Sequence, residues 1–330
     1  MRQRLSVAEY TRGILTGDRT MLGRAITIIE SKLAEDKVLA AAILQSILPM
    51  TGTALRIGIT GIPGVGKSTF IEAFGQYLTS LGKRVAVLAI DPSSKKSGGS
   101  ILGDKTRMEN LAHSPHAFIR PSATGLSLGG VARSTREAML LCEAAGYDVI
   151  LVETVGVGQS ETLVKGMTDF FLLLMLAGAG DELQGIKRGI MEMVDAIAIN
   201  KADGANRQPA ALAVNEYQHA LHHLPQSPSG FTPKVIACSA TEGSGIDAIW
   251  EMIQEYEVIT SKNGFFDKNR QFQNLDWLHE HIRQSLEDQF YDNASVRAKL
   301  AGSEEHVREG QILPVTAAQE LINLFLGRTK

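Results

Sequence analysis

The chain has 330 residues, which is enough for about two domains and a large buried core. Hydrophobic residues make up 44% and charged residues 21% of the sequence, a balance that excludes a wholly disordered chain. The formal net charge of −3 gives no electrostatic reason to expect nucleic acid or an anionic membrane as a partner. Two cysteines, Cys142 and Cys238, lack CxxC spacing, so we expect neither a disulfide framework nor a zinc knuckle.

No targeting or membrane segment is predicted. The longest apolar run, residues 170–180, is far shorter than the roughly 20 residues that a bilayer span needs. The first residues become polar before an apolar segment of signal-peptide length can form. We therefore expect a cytoplasmic protein.

Taken in chain order, the predicted elements begin with helices and continue as an alternation of strands and helices. Residues 1–50 have helical periodicity and no strand signal, so they predict a helical N-terminal extension. Between residues 51 and 260, short apolar runs alternate with helical segments such as 67–81, 131–145 and 205–222. The apolar runs are residues 55–60, 84–90, 117–120, 148–153, 169–176, 195–200 and 234–239. Because most runs are apolar throughout, the sequence predicts an α/β fold with a doubly wound, mostly parallel sheet covered by helices on both faces.

The last part of the chain differs in composition. After Tyr256 the composition shifts toward charged and amide residues, with aromatic and aliphatic residues at helical spacing. We expect residues 261–330 to form a helical arm, because this segment has too few apolar residues for a core of its own. The arm would pack either on the main domain or on a second copy of the chain as a homodimer, and the sequence leaves both alternatives open.

Residues 61–69 have the pattern of a phosphate-binding loop. Gly61, Gly66, Lys67 and Ser68 match GxxxxGK[ST], directly after a predicted strand and at the start of a predicted helix. Glycines allow successive backbone N–H groups to surround a phosphate, the lysine neutralises β and γ oxygens, and the serine hydroxyl can ligate Mg²⁺. The residues predicted to bind the nucleotide here are Gly61, Ile62, Pro63, Gly64, Val65, Gly66, Lys67, Ser68 and Thr69.

Two further segments predict that the base is guanine. Asn200, Lys201 and Asp203 follow a predicted strand, at the position of the base-recognition loop of GTPases. The Asp203 carboxylate can accept hydrogen bonds from guanine N1–H and N2–H₂, whereas adenine offers no such donor pair at that edge. Residues Cys238, Ser239 and Ala240, at the end of the next strand, fit the second base loop. The alternative is a surface turn in an ATP-binding protein.

A third strand end carries a carboxylate. Glu153 and Gly156 occupy the position of the usual DxxG motif, with Glu in place of Asp. The carboxylate can reach Mg²⁺ through water, and the Gly156 N–H can contact the γ-phosphate. Gln159 lies three residues after Gly156 rather than directly after it, so we expect slow intrinsic hydrolysis.

Three residues in polar loops complete the predicted catalytic centre. Asp91 and Asp104 lie in a Gly- and Ser-rich segment that we expect to act as a switch near Mg²⁺ or the attacking water. Lys187 follows another strand and could reach the γ-phosphate or a partner, although a solvated lysine fits equally well. The predicted catalytic residues are Lys67, Asp104, Glu153 and Lys187, and the predicted Mg²⁺ ligands are Ser68, Asp91, Asp104 and Glu153.

Beyond the phosphate-binding loop, several segments have a specific pattern, namely residues 14–15 and 17–19 of the helical extension, residues 91–94, 98–108, 153–161 and 200–203, and the helical tail. Through these segments, over nearly its full length, the sequence resembles the MeaB/ArgK family of G-protein chaperones for adenosylcobalamin-dependent methylmalonyl-CoA mutase. The resemblance implies a homodimeric GTPase that protects the mutase and assists the loading of its cofactor. Two alternatives are an ATP-dependent kinase linked to basic amino-acid transport, which needs an adenine site, and a nickel-insertion GTPase, which should carry Cys and His metal ligands.

Overall fold

The computed structural model describes residues 4–90, 108–121, 128–154, 160–178 and 188–328. Within these ranges the chain forms seven β-strands and thirteen α-helices. The strands are β1 (Leu55–Gly61), β2 (Val85–Ile90), β3 (Ala117–Arg120), β4 (Val149–Thr154), β5 (Phe170–Leu176), β6 (Ala196–Asn200) and β7 (Lys234–Ala237). The helices are α1 (Val7–Leu15), α2 (Arg19–Ile29), α3 (Ala34–Ile47), α4 (Lys67–Ser80), α5 (Glu109–His113), α6 (Leu128–Ala144), α7 (Ser160–Lys165), α8 (Arg188–Met193), α9 (Arg207–His222), α10 (Ile246–Lys262), α11 (Phe265–Asp292), α12 (Ala294–Arg308) and α13 (Pro314–Phe325).

The seven strands form one sheet in the order β3-β2-β4-β1-β5-β6-β7, and all neighbours are parallel. Every residue of β2, β4 and β6 is buried, as expected for strands that helices cover on both faces. The predicted α/β fold with a doubly wound parallel sheet is confirmed. Because the strands are parallel, their carboxyl ends lie at one edge of the sheet, where such folds bind ligands.

The N-terminal helices pack into the core on one face of this sheet. Ser6 and Glu9 form a reciprocal capping box at the start of α1, and the Asp18 side chain caps α2. Ile14 of α1 and Ile26 of α2 are fully buried in the same hydrophobic cluster as strand residues of this face. The helical segment at the N-terminus therefore shares its core with the sheet.

A second core covers the opposite face of the sheet. Helices α4 and α10 supply several of its aromatic side chains, and the rings of Phe74 and Trp250 lie 6.3 Å apart. Tyr256 of α10 packs edge-on against Phe170 of β5 and donates a hydrogen bond of 2.9 Å to the carbonyl of Asp169. This core fixes the helix that follows the phosphate-binding loop.

The chain divides into two compact units, Met1–Gln273 and Asn274–Lys330. In the second unit, α12 and α13 pack together, and the rings of Phe290 and Phe325 meet at 5.5 Å in a T-shaped arrangement. The division at residues 50 and 260, which the sequence predicts, stays a prediction.

In the described ranges, no helix is both long enough and apolar enough to span a bilayer.

Candidate nucleotide-binding site

The phosphate loop, residues 61–68, connects the central strand β1 to α4. Gly66 is the N-cap of α4 and has φ of +91°, in the left-handed region that favours glycine. A Cβ atom on Gly66 would lie 3.1 Å from Nδ2 of Asn200, so this position also lacks space for a side chain. The loop thus delivers the backbone N–H groups of the first turn of α4 to the carboxyl edge of the sheet, which is an anion-binding arrangement.

Lys67 bends back over the phosphate loop. Its Nζ donates a hydrogen bond of 2.7 Å to the carbonyl of Gly61 and a longer one of 3.4 Å to that of Ile62. Burial lowers the pKa of the Lys67 ammonium below its ordinary value, and the charges of Glu153 and Glu161 oppose this shift. A phosphate oxygen would be a stronger partner for this partly desolvated cation than the carbonyls, because it carries a full negative charge.

Ser68 and Glu153 bring two oxygen atoms together beside the loop. Glu153 lies one residue before the end of β4, is 4% exposed, and pairs in register with Ile59 of β1. The distance between Ser68 Oγ and Glu153 Oε1 is 3.4 Å, which is long for an O–H···O hydrogen bond. A hydroxyl and a carboxylate are oxygen ligands of the kind that Mg²⁺ prefers, so the pair fits this ion.

The first base loop, residues 200–203, is tied to the phosphate loop by two side chains. Asn200 is buried, and its Nδ2 donates a hydrogen bond of 2.9 Å to the carbonyl of Val65. Lys201 has φ of +58°, and its Nζ donates a 2.9 Å hydrogen bond to the carbonyl of Gly64. The end of β6 is therefore joined to the phosphate loop through contacts with consecutive residues.

The second base loop, residues 238–240, lies beside the first. Backbone hydrogen bonds of 2.9 and 3.0 Å join Cys238 to Ile199 and to Ala202. The Ala240 N–H donates to Asn200 Oδ1 at 3.4 Å, so the Asn200 amide contacts both neighbouring loops. The two base loops consequently form one backbone-linked surface at the sheet edge.

Asp203 is held by two hydroxyl groups. Ser239 Oγ donates to Asp203 Oδ2 at 2.5 Å, and Thr241 Oγ1 donates to the same oxygen at 3.0 Å. These hydrogen bonds lower the pKa of Asp203 below its ordinary value. Sequence reasoning missed Thr241, although a hydroxyl residue directly after the second base loop was a signal for it.

The described part of the chain thus brings most of the predicted site residues to the carboxyl ends of β1, β4, β6 and β7. These residues are Gly61 to Thr69, Glu153, Asn200, Lys201, Asp203, Cys238, Ser239 and Ala240. Four predicted residues lie outside the described ranges, namely Asp91, Asp104, Gly156 and Lys187.

The fold and this edge of the sheet define a P-loop GTPase: the phosphate loop opens a helix after the central strand, and the base loops follow β6 and β7. Comparison with known families gives a more specific assignment. Residues 22–295 match the family described as methylmalonyl Co-A mutase-associated GTPase MeaB. The chain belongs to this family, and the resemblance inferred from its motifs is confirmed.

Individual relatives agree with this assignment. The GTPase ArgK of Escherichia coli is 45% identical over 316 residues, which cover 96% of each chain. The mitochondrial methylmalonic aciduria type A homolog of Mus musculus is 44% identical over 329 residues, covering 97% of this chain and 79% of the relative. A solved structure of a LAO/AO transport system kinase has a TM-score of 0.76 at 38% identity and covers 99% of both chains. The protein is therefore a GTPase, like the relatives that share this family.

Proposed function

We propose that this protein uses GTP binding and hydrolysis to protect methylmalonyl-CoA mutase and to assist the loading of its adenosylcobalamin cofactor. The observation that carries the proposal is the match of residues 22–295 to a family of mutase-associated GTPases. The similarity to a methylmalonic aciduria type A homolog supports the same client. We place the activity in the cytoplasm, a compartment suited to the two buried free thiols, Cys142 and Cys238.

In the proposed site, Lys67 would contact the β and γ phosphates, and the N–H groups of the phosphate loop would surround a phosphate. Ser68 and Glu153 would hold Mg²⁺, with Asp91 and Asp104 as the further ligands that the sequence predicts. The ion, when bound, neutralises charge that develops on the phosphates during hydrolysis. The hydroxyl and buried carboxylate that lie 3.4 Å apart support this assignment.

A Lys67→Ala variant tests the phosphate site. Removal of the ammonium should lower the rate of GTP hydrolysis about a hundredfold or more, because it leaves developing charge on the transferred phosphoryl group without its partner. Steady-state phosphate release measures the effect, and circular dichroism confirms that the variant is folded. Hydrolysis at the wild-type rate in Lys67→Ala would place the reaction elsewhere in the protein.

We propose guanine as the base, read by Asp203. An Asp203→Asn variant should bind xanthine nucleotides better than guanine nucleotides, since the amide presents a donor where the carboxylate presents an acceptor. Competition binding with GTP, XTP and ATP measures this preference. Equal affinity of the wild-type protein for ATP and GTP would contradict the guanine assignment and would favour the kinase alternative.

The mutase acts on this GTPase as an activating protein in our proposal. Slow intrinsic hydrolysis keeps the chaperone in its GTP state until the mutase completes the catalytic arrangement around Gly156 and Lys187. A mutase that binds the GTP state more tightly must also raise the affinity for GTP, because coupling between two binding sites is reciprocal. The coupling between mutase and GTP should therefore change both the affinity for GTP and the rate of GTP hydrolysis.

Phosphate release with and without purified methylmalonyl-CoA mutase tests this coupling. We expect the mutase to accelerate hydrolysis, and Lys187→Ala to reduce this acceleration more than it reduces GTP affinity measured by calorimetry. Binding of the mutase to each variant is verified separately by gel filtration. Equal rates with and without a mutase that demonstrably binds would refute the switch mechanism but leave the nucleotide site intact.

We further propose that the C-terminal helices mediate homodimerisation. Leu275, Leu278, Ile282 and Leu286 of α11 recur every three or four residues, and each is between 46% and 55% exposed. A row of exposed leucines and isoleucines on one helix is a surface that a second copy could cover. A variant that ends at Gln273 keeps the whole first unit, including Arg270, and removes the exposed row. Light scattering of this variant should give a monomer, and a surviving dimer would place the interface in the nucleotide domain.

A further inference from the structure

We propose that Thr241 is a specificity-determining residue of the GTPase: its hydroxyl holds the Asp203 carboxylate in the orientation that reads the 2-amino group of guanine. The inference rests on the proposed guanine site and assigns a role to a residue that lies outside the four-residue recognition sequence 200–203. Thr241 belongs to the segment after β7 and Asp203 to the segment after β6, so residues from both segments would recognise the base.

The hydroxyl protons around Asp203 determine how its carboxylate is oriented. The Glu242 N–H donates to Ser239 Oγ at 3.1 Å, which leaves the single Ser239 proton for Asp203 Oδ2 at 2.5 Å. The single Thr241 proton is given to the same carboxylate oxygen at 3.0 Å. Two donors therefore occupy Oδ2, since a carboxylate oxygen has two lone-pair positions in its plane. The rotation of the carboxylate is fixed, and Oδ1 becomes the oxygen available to a base.

Guanine requires such a fixed acceptor, because its N1–H and 2-amino groups are donors at one edge. A carboxylate that rotates freely would have to lose that freedom when GTP binds, and the loss would weaken binding. The two hydroxyls impose the orientation before the nucleotide arrives. The hydroxyls also stabilise the ionised form of Asp203, in which the lone pairs of Oδ1 stay available to the donors of the base.

Thr241 can be tested separately from Ser239. Ser239 is fully buried, and its N–H donates to the Ser244 carbonyl at 2.9 Å, so replacing it would disturb the fold of the loop. Thr241 is exposed and acts through its hydroxyl, which lies 3.0 Å from Asp203 Oδ2 and 3.0 Å from Ser239 Oγ. Replacement of Thr241 by valine removes the hydroxyl and keeps the branched shape.

The same loop offers a matched control. Glu242 follows Thr241 and pairs with Arg207 at 2.9 Å, but the two side chains are 41% and 67% exposed. An exposed ion pair contributes little to orientation because water and salt screen it. Glu242→Gln should therefore leave nucleotide preference unchanged, although it alters the charge of the loop beside the base.

The experiment compares the affinities of the full-length protein for GTP and for ITP in the presence of Mg²⁺. ITP lacks the 2-amino group, so the comparison isolates the contact that Thr241 is proposed to support. Thr241→Val should lower GTP affinity by about five- to tenfold, in keeping with the loss of one hydrogen bond to an ionised group. ITP affinity should fall by a smaller factor, because ITP offers only its N1–H to Asp203. Thr241→Ser should restore the wild-type preference, and Glu242→Gln should stay within about twofold of wild type.

Two patterns would overturn the inference: an equal loss of GTP and ITP affinity in Thr241→Val, or a Thr241→Ser variant that does not recover the preference for GTP. Thr241→Ala provides a second hydroxyl-free variant if the valine does not fold, as judged by thermal melting without nucleotide. Asp203→Asn separates this inference from the proposed site. If Asp203→Asn leaves base preference unchanged, the guanine site itself is wrong; if it changes preference while Thr241→Val does not, only the role of Thr241 fails.

Discussion

Replacement of Arg270 by alanine should cause a large loss of stability in the first unit, because this side chain neutralises a buried carboxylate at the amino edge of the sheet. The guanidinium donates two hydrogen bonds of 2.7 Å to the two oxygens of Asp169. It also donates to the carbonyls of Gly52 at 2.6 Å and Ala54 at 2.7 Å. The Asp169 side chain is only 1% exposed and that of Arg270 13%, so the ion pair is largely shielded from water.

The expected magnitude follows from the charge left behind. Breaking a buried ion pair by removing one partner costs about 3–5 kcal/mol, because the remaining charge is uncompensated. The Asp169 Oδ2 atom keeps one donor, the N–H of Arg56 at 2.8 Å, so we place the Arg270→Ala effect near the middle of this range, at about 4 kcal/mol. Arg270→Lys should lose less, since an ammonium retains the charge but not the paired geometry.

Urea unfolding measures this loss. The chain contains two tryptophans, and Trp250 lies in the core of the first unit with 5% exposure. A Trp277→Phe background makes the fluorescence signal report on Trp250 alone. Arg207→Ala is the matched control within the same unit, because Arg207 and Glu242 form an exposed pair at 2.9 Å that should contribute less than about 0.5 kcal/mol. A free energy of unfolding for Arg270→Ala within about 1 kcal/mol of the parent would refute the reasoning.

Three further predictions concern the sheet and the nucleotide site. Gly58→Ala should lower the free energy of unfolding by about 1–3 kcal/mol in urea melts, because the new Cβ would lie 2.6 Å from the Phe171 ring in a packed core; unchanged stability would contradict this. Gly66→Ala should lower GTP affinity, measured by titration calorimetry, at least about tenfold. An alanine with the left-handed φ of Gly66 costs about 1–2 kcal/mol, and its Cβ would crowd the Asn200 side chain. Wild-type affinity in this variant would contradict the close approach of Asn200 to the phosphate loop. Because the pKa of Asp203 is lowered, its ionised form persists to low pH, so the ratio of GTP to ITP affinity should stay level from about pH 8 to about pH 5, since both nucleotides carry the same triphosphate. A change of this ratio centred near pH 6 would assign recognition to another group.

Elements that depend on local sequence were predicted closely. The apolar run 55–60 became β1 (Leu55–Gly61), and the helical segment 67–81 became α4 (Lys67–Ser80), because a continuous apolar run and a glycine-rich helix start are local signals. The run 234–239 was too long for its strand. Strand β7 ends at Ala237, because the Ser239 N–H turns toward the Ser244 carbonyl instead of continuing the ladder.

Contacts between distant segments were not predictable in the same way. The motif identified Asp203, but the hydroxyl of Thr241 reaches that carboxylate only because β6 and β7 are neighbours in the sheet. Arg270 lies in a segment rich in charged and amide residues, and nothing in its neighbourhood distinguishes it from solvated arginines until Asp169 is placed beside it. Such pairs depend on the order of the strands in the sheet, and no local pattern in a single sequence shows that order.

The Asn200 amide contacts three residues in two separate loops, the phosphate loop and the second base loop. It donates to the Val65 carbonyl, and its oxygen accepts from the Ala240 N–H and, at 3.7 Å, from the Cys238 thiol. A protein engineer who wished to convert the enzyme to another nucleotide could therefore not exchange the base loops as an independent cassette. Any replacement that shifts Asn200 would also displace the backbone that surrounds the phosphates, so altered base preference and weakened triphosphate binding would be acquired together unless the phosphate loop were redesigned in the same step.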